Sequence, residues 1–223
     1  MKVFAIGTID ISKQFLAPSL AHAASAVFPT ELLRHEGKET APTILSASFE
    51  LSSFGYFQRA NVREFINFFS KTLTQRSPPQ QCLSIEREEY RCHVFIRHDG
   101  LAGIAVADHE YPPRVAFALV KKLIDEYDGA TQGAWKSHAG APQNWAPLQS
   151  ALQEYQDPSK ADKIMAIQKE LDETTAILSK AIDSVLERDE KLTDLVAKSL
   201  ELSTQSKVFY REAQRTNSCC ILM

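Results

Sequence analysis

The last five residues, Cys219-Cys220-Ile221-Leu222-Met223, contain the clearest reactive side chains of the sequence. A cysteine followed by two aliphatic residues and a methionine is typical of a farnesylation signal. One lipid gives reversible membrane binding and two give stable anchoring, because each buried methylene contributes about 0.8 kcal/mol. The tail therefore predicts a lipid anchor on Cys220, with Cys219 as the site of a second, switchable lipid.

A single arginine interrupts a long apolar stripe in the last third of the chain. The stripe recurs at alternating spacings of three and four residues, which is typical of a coiled-coil seam. Its members are Ile164, Ile167, Leu171, Thr174, Leu178, Ala181, Val185, Leu192, Leu195, Ser199, Leu202, Ser206, Phe209, Ala213 and Thr216, with Arg188 near the middle. An unpaired charge in a seam is costly, so partner helices must supply acceptors for Arg188. The alternative is a shifted register that places Arg188 on a flank.

Other residues of catalytic type form no recognisable site. The sequence lacks the phosphate-binding pattern G-x-x-x-x-G-K-[ST], the dinucleotide pattern G-x-G-x-x-G and the hydrolase pattern G-x-S-x-G. Cys82, Cys92, His93 and His98 match no standard zinc spacing, and neighbouring strand residues point to opposite faces. We therefore expect no enzyme activity, no metal site and no cofactor.

Length and charge exclude several further classes of protein. A chain of 223 residues suits one ordinary domain with an appendage, and its formal net charge of −3 offers no footprint for nucleic acid. No run of eighteen predominantly apolar residues is present to span a membrane. Asp10 ends the first apolar run before a secretory signal core could form, so we expect a cytosolic chain.

The secondary structure predicted before the long apolar stripe contains both strands and helices. Short β-rich runs bounded by turn residues predict strands at residues 2–9, 43–51, 83–87, 90–97 and 101–107. The last two strands are joined through Asp99-Gly100, a strong hairpin signal. Residues 17–42 are rich in Ala, Pro, Ser and His, which predicts a surface loop insertion. The pattern indicates an α+β fold with a five-stranded, mostly antiparallel sheet flanked by helices.

Two amphipathic helices and a long third one complete the prediction. Asn61 and Glu64 form a capping-box pattern at the start of the first helix, and Pro112-Pro113 suit the first turn of the second. Residues 128–146 are predicted to be a Gly- and Ala-rich loop. Residues 159–218 contain neither Gly nor Pro, which predicts one helix of about 90 Å that cannot fold back on itself. Its seam therefore needs partner helices.

Three parts of the sequence together resemble a known family. Residues 186–192, Leu-Glu-Arg-Asp-Glu-Lys-Leu, resemble the arginine-layer motif of synaptobrevin-type SNAREs. Residues 53–59, Ser-Phe-Gly-Tyr-Phe-Gln-Arg, and residues 93–127 resemble a longin domain, and the Cys-Cys tail completes the likeness. The whole is similar to the prenylated longin-domain R-SNAREs of Golgi, endosomal, vacuolar and autophagic traffic. The likeness departs at residues 17–42, where the family usually has a short hairpin.

The resemblance implies a domain plan. Residues 1–145 would form a profilin-like longin domain, residues 146–158 a linker or short helix, residues 159–218 the long SNARE coiled-coil helix and residues 219–223 the lipidation tail. The SNARE helix would zipper with three Q-SNARE helices in a four-helix bundle that drives vesicle fusion, with Arg188 holding the register. The longin domain would fold back on the SNARE helix and shield the lipid in a closed cytosolic form.

The resemblance also implies chemistry at the tail. Prenyltransferase and acylating enzymes would act there: Cys220 would carry farnesyl and a carboxymethyl group after removal of Ile221, Leu222 and Met223, and Cys219 would carry palmitate or a second prenyl group. The lipids would bring the chain to the cytosolic face of Golgi, endosomal and vacuolar membranes.

Three seam and groove residues suggest regulation. Phe68 lies roughly 120° from the helix stripe formed by Val62, Phe65, Ile66, Phe69 and Leu73. Phe68 is therefore predicted to help form a docking groove for the SNARE helix or the lipid; the alternative is a rim residue under a loop. Phosphorylation of Ser199 or Ser206 would place charge in the bundle core and block assembly.

A second hypothesis is a lipid-anchored tether or trafficking adaptor without fusion activity. Such a protein would share the anchor and the long helix. Arg188 discriminates between the two, because a tether gains nothing from an arginine in the centre of its seam.

Overall fold

The computed structural model describes residues 27–35, 41–51, 54–87, 90–138, 140–155, 175–186 and 190–219. The body consists of β1 (Val27–Arg34), β2 (Thr43–Ser48), α1 (Arg59–Arg76), β3 (Cys82–Arg87), β4 (Tyr90–Ile96), β5 (Leu101–Asp108), α2 (Pro113–Thr131), a short 3-10 helix (Ala134–Ser137) and α3 (Ala146–Tyr155). The C-terminal segment, residues 175–219, contributes β6 (Ile177–Ala181), a 3-10 turn (Ile182–Ser184), α4 (Leu192–Lys198) and α5 (Thr204–Cys219). The predicted α+β class is confirmed.

Among the described residues, one sheet of six strands, rather than the predicted five, forms the centre of the fold. Its order is β2-β1-β5-β4-β3-β6, and all neighbours are antiparallel except β6, which runs parallel to β3. Two of the six strands were not predicted: β1, and β6 from the C-terminal segment. The sheet separates two apolar layers, one against α1 and one against α2.

The strands predicted at residues 43–51, 83–87, 90–97 and 101–107 are confirmed. The hairpin between β4 and β5 turns at Gly100, whose φ of +92° is a conformation that favours glycine. A Cβ atom there would lie 2.5 Å from the backbone oxygen of His35. The hairpin is also held by Arg97, whose guanidinium donates to Asp99 at 2.6 Å and to Asp128 at 2.7 Å.

The loop predicted at residues 17–42 is wrong, because β1 lies inside it between β2 and β5. Leu32 and Leu33 point to opposite faces of the sheet and are fully buried in its two apolar layers. The sequence pattern hides this strand, since Pro29, Glu31 and Arg34 interrupt its apolar run. The strand predicted at residues 2–9 lies outside the described residues.

The loop predicted at residues 128–146 is wrong in part. α2 continues to Thr131 and the 3-10 helix follows at Ala134–Ser137. The Trp135 indole in that helix is buried and donates to Asp128 Oδ1 at 2.7 Å, which fixes the chain against the end of α2.

Both predicted amphipathic faces are confirmed. The face of α1 buries Val62, Phe65, Phe69 and Leu73, with Ile66 half-buried, and the face of α2 buries Val115, Ala118, Leu119 and Leu123. The predicted capping box is wrong, because α1 begins at Arg59 and neither Asn61 nor Glu64 caps it. Both side chains contact the C-terminal segment instead.

The long helix predicted for residues 159–218 is wrong for the described part of that range. Residues 175–186 and 190–219 form a strand, a 3-10 turn and two separate helices. In the single chain the seam has no partner helices, so its apolar side chains pack against the body.

Serines replace the missing turn residues between α4 and α5. Ser199 Oγ accepts from the backbone N–H groups of Glu201 and Leu202 at 3.2 and 3.3 Å, and Ser203 Oγ accepts from that of Ser206 at 3.2 Å. Such hydrogen bonds end one helix and start the next. None of the helices in the described ranges is long and apolar enough to cross a membrane.

Candidate functional site

The C-terminal segment adds a strand to one edge of the body. β6 pairs with β3 in parallel register, with Leu178 opposite Leu83 and Ala181 opposite Glu86. Ser179 Oγ donates to the Glu86 carboxylate at 2.8 Å. This hydrogen bond is the main reason that the pKa of Glu86 lies below its usual value.

The segment then crosses α1 and completes an apolar core with it. Leu192, Leu202, Phe209 and Ala213 are buried in the same core as residues of α1 and of the sheet. The ring of Tyr210 stacks on that of Phe65, with centroids 5.1 Å apart and planes within 17° of parallel. Aromatic pairs of this kind stabilise contacts by about 1 kcal/mol beyond the burial of their area. The α1 face is therefore occupied by seam residues.

A polar cluster centred on Glu64 fixes the same contact. Its carboxylate accepts from the Ser203 backbone N–H at 2.6 Å, from the Ser203 hydroxyl at 2.7 Å and from the Ser206 hydroxyl. Ser206 Oγ also lies 3.4 Å from Asn61 Oδ1. Burial raises the pKa of Glu64, but the hydrogen bonds from Ser206 and Ser203 outweigh it and hold the pKa below its usual value. The cluster therefore binds an ionised carboxylate.

Two ion pairs lie along the rim of this contact. Lys71 Nζ is 2.9 Å from Glu201 Oε2, and Arg76 Nη2 is 2.9 Å from Glu190 Oε2. All four side chains retain some exposure, so each pair contributes little to stability. The two pairs help to align the C-terminal segment along α1.

The described seam residues divide into an accessible and an occluded set. Leu178 is 41% exposed, Ala181 is exposed and Val185 is half-buried, whereas Leu192, Leu202, Ser206, Phe209 and Ala213 are buried. Leu195 and Ser199 are half-buried. Ile164, Ile167, Leu171, Thr174, Arg188, Cys220, Ile221, Leu222 and Met223 lie outside the described residues, as do the side chains of Thr216 and Cys219 at the end of α5.

Phe68 lies where the body and the C-terminal segment meet. Its ring is half-buried, 6.5 Å from that of Phe65, and it lines a cavity of about 640 Å³. Residues of β2 and α1 also line the cavity, together with Glu201 of the C-terminal segment. The groove role of Phe68 and the occupant of the groove both stay predictions.

The cysteine and histidine residues of the sheet point to different layers. Cys92 lies in the layer against α1, whereas Cys82 lies in the layer against α2. The buried His93 ring contacts Phe117 of α2, and its Nδ1 is 2.8 Å from Ser84 Oγ. Burial lowers the pKa of His93 to about 4. Within the described ranges, no three His, Cys, Asp or Glu side chains are grouped to hold a metal ion.

The sequence pattern does not predict the contact roles of Glu64, Ser203 and Tyr210. Glu64 was assigned to a helix cap, and Ser203 and Tyr210 fall outside the seam spacing. Tyr210 carried a usable signal, because it and Phe209 are the only aromatic residues after Tyr155 in the sequence. An aromatic residue beside a coiled-coil seam needs an apolar environment of its own.

Comparison with known proteins identifies the family. The Longin model, described as a regulated-SNARE-like domain, matches residues 51–152, and the Synaptobrevin model matches residues 163–221. The VAMP-like protein YKT61 of Arabidopsis thaliana is 46% identical over 183 residues, which cover 82% of this chain and 92% of that protein. The chain belongs to the longin-domain R-SNAREs.

Relatives from fungi agree with this assignment. The synaptobrevin homolog ykt6 of Schizosaccharomyces pombe is 44% identical over 197 residues, covering 88% of this chain and 98% of that protein. The synaptobrevin homolog YKT6 of Debaryomyces hansenii is 45% identical over 190 residues, covering 84% of this chain and 94% of that protein. As an R-SNARE, the chain functions in vesicle fusion, and the family is one of trafficking proteins.

Proposed function

We propose that this structure is the closed form of a lipid-anchored R-SNARE, in which the longin domain holds the second half of the SNARE seam. The observation that carries the proposal is the burial of Leu202, Phe209 and Ala213 in one core with the apolar face of α1. A seam side chain cannot pack against α1 and against a partner helix at the same time. The closed form and the four-helix bundle therefore exclude each other.

Opening would convert the C-terminal segment into one helix. Three Q-SNARE helices would then supply the partners that the seam lacks in the single chain, and their glutamines would accept hydrogen bonds from Arg188. The tether hypothesis gives no role to such a layer. Residues 159–218 would act as the SNARE motif, residues 1–145 as the longin domain and residues 146–158 as the connection between them.

The lipids would set the location of each form. Cys220 would carry farnesyl and a carboxymethyl group after loss of Ile221, Leu222 and Met223, and Cys219 would carry palmitate or a second prenyl group, added by prenyltransferase and acylating enzymes. The cavity beside Phe68 supports a lipid-shielding role in a closed cytosolic pool. The exposed lipids would anchor the open form to the cytosolic face of Golgi, endosomal and vacuolar membranes.

The test of the closed form uses a residue outside the seam. Tyr210→Ala removes the stacking contact with Phe65 and leaves every seam layer intact. We expect the variant to assemble with a set of three Q-SNARE helices at least about tenfold faster than the natural chain, because loss of an aromatic contact weakens closure by more than about 1.4 kcal/mol. Val208→Ala is the matched control, since Val208 lies on the same helix and is 44% exposed. Equal assembly rates for Tyr210→Ala and the natural chain would contradict the closed-form proposal.

A second arm tests the arginine layer. The natural chain, Arg188→Ala and Arg188→Gln are each mixed with the same helices, and the resistance of the complex to heat and detergent is measured. We expect both variants to lose resistance. No complex with any Q-SNARE set would contradict the fusion proposal and favour the tether.

A further inference from the structure

The turn before α1 presents two aromatic side chains to solvent. Tyr56 is 78% exposed and Phe57 is 90% exposed, and their rings meet edge to face with centroids 5.4 Å apart. Among the described residues, no other large aromatic side chain is this exposed. Burial of such a ring from water is strongly favourable, so an adjacent exposed pair indicates a surface that a partner covers.

The turn is built to hold this pair outward. The Gln58 backbone N–H donates to the Gly55 carbonyl at 2.8 Å, and the Gln58 side chain accepts from the Gly55 N–H at 3.3 Å. Arg59 Nε donates to the Phe54 carbonyl at 3.0 Å. The Phe54 ring beneath is buried in the core. The exposure of Tyr56 and Phe57 therefore follows from a hydrogen-bonded turn on a fixed base.

The charge around the turn favours an anionic partner. Residues 49–64 contain two exposed arginines, Arg59 and Arg63, and two half-buried acids, Glu50 and Glu64. The Glu64 carboxylate is engaged by the C-terminal segment, and no acidic residue lies in the first turn of α1. The start of a helix adds a partial positive charge. The exposed charged side chains at this end of α1 are therefore basic, in a chain whose formal net charge is −3.

A bilayer fits these features better than a protein partner does. Two rings bury about 300 to 500 Å² in total, which is less than the roughly 800 Å² per partner of a stable protein interface. Aromatic rings concentrate at the headgroup level of membranes, and arginines near the surface bind anionic headgroups. The tip alone should give weak binding that an excess of vesicles reveals, and the lipid anchor would add the affinity that keeps the chain on the membrane.

We propose that the aromatic tip, Tyr56 and Phe57, inserts into the headgroup region of an anionic membrane while the chain is still closed. The contacts made by the C-terminal segment begin at Asn61 and Glu64 and leave the tip uncovered. The tip would therefore make the first membrane contact, before the SNARE segment is released. This inference rests on the proposed membrane-anchored function, and deepens it.

The experiment measures vesicle binding without the lipid anchor. The full chain with Cys219→Ser and Cys220→Ser is floated with vesicles of phosphatidylcholine, with or without phosphatidylserine. We expect binding to the phosphatidylserine vesicles, reduced about tenfold or more by the double substitution Tyr56→Ser and Phe57→Ser, because both rings leave the bilayer. Leu200→Ser is the matched control, since Leu200 is 100% exposed but lies on the C-terminal segment; it should bind as the unsubstituted chain does. Arg63→Gln should lower only the preference for phosphatidylserine.

Two results would overturn the inference. One is unchanged vesicle binding by the double variant, and the other is no binding by the unsubstituted chain to either kind of vesicle. Assembly with Q-SNARE helices in solution is measured on the same variants. Slower assembly of the double variant with unchanged vesicle binding would assign the tip to a protein partner instead. Because that assembly assay needs no membrane, failure of the SNARE proposal would appear there separately.

Discussion

The contact between Glu64 and Ser206 gives the sharpest prediction about closure. Ser206 is 1% exposed, and its hydroxyl donates to the Glu64 carboxylate. Ser206→Asp replaces this donor with a second carboxylate at the same place. Two like charges about 4 Å apart repel by about 4 kcal/mol at the effective dielectric near a protein surface. We expect the change to weaken closure by about 3 kcal/mol, which corresponds to about a hundredfold larger open fraction.

The assay is hydrogen exchange of the backbone amides of α5 in the single chain. Opening removes the packing that stabilises α5, and an isolated helix of 16 residues is marginal in water, so the protection of its amides should fall as the open fraction rises. Assembly is a poorer readout here, because Ser206 is also a seam residue and a charge there weakens the bundle. A phosphate on Ser206 would act in the same direction as Asp, so it would open the closed form as well as block assembly.

A double-mutant cycle separates charge repulsion from general damage. Glu64→Gln removes the negative charge, so Ser206→Asp should cost less on the Glu64→Gln background than on the natural one. Ser206→Ala measures the loss of the hydroxyl alone and should have a smaller effect than Ser206→Asp. Equal costs of Ser206→Asp on both backgrounds would refute the repulsion argument.

Three further predictions concern the body. Burial, partly offset by Ser70 and Lys71, raises the pKa of Glu31 to about 7 from 4.5. The folded form therefore keeps this proton to a higher pH than the unfolded form does. About 3 kcal/mol of stability that is present below pH 4.5 should be lost by about pH 7. Urea unfolding at several pH values should show this slope, and Glu31→Gln should remove it. The pH dependence from His93 has the opposite sign, because burial lowers its pKa to about 4 from 6.5. Stability that is present above pH 6.5 should be lost as the pH falls to about 4. A His93→Gln variant that keeps the full acid dependence of unfolding would refute this. Gly100→Ala should lower the free energy of unfolding by about 2 kcal/mol, because it strains a positive φ and its Cβ meets the His35 carbonyl; an unchanged urea midpoint would contradict this.

The body was predictable where apolar periodicity and turn residues agree. The alternation of β4 and β5 around Asp99-Gly100 and the stripe of α1 are local signals, and the structure contains both. β1 was not predictable in this way, because a strand in the middle of a sheet tolerates Glu31 when its neighbours supply the apolar contacts. Its position depends on pairing with β2 and β5, which sequence periodicity does not record.

The closed contact was harder to predict than the fold. The seam spacing of Leu202, Phe209 and Ala213 correctly indicated one face that must be buried, but the same face suits a bundle or a domain surface. The absence of Gly and Pro after Pro158 predicted a continuous helix, yet Ser199 and Ser203 end and restart the helix by side-chain hydrogen bonds. The seam spacing therefore specifies which side chains are buried. The surface they pack against depends on which partner is available, the longin domain or the helices of a bundle.

The parallel pairing of β6 with β3 has a consequence for the released chain. In the closed form, Ile177–Ala181 covers the outer edge of β3 along its length. When that segment turns helical, the backbone N–H and C=O groups on the outer edge of β3 lose their partners and become a template for strand addition. Opening thus frees the seam for partner helices and exposes the edge of β3. An open molecule that does not join a bundle is therefore more prone to aggregate than the closed molecule.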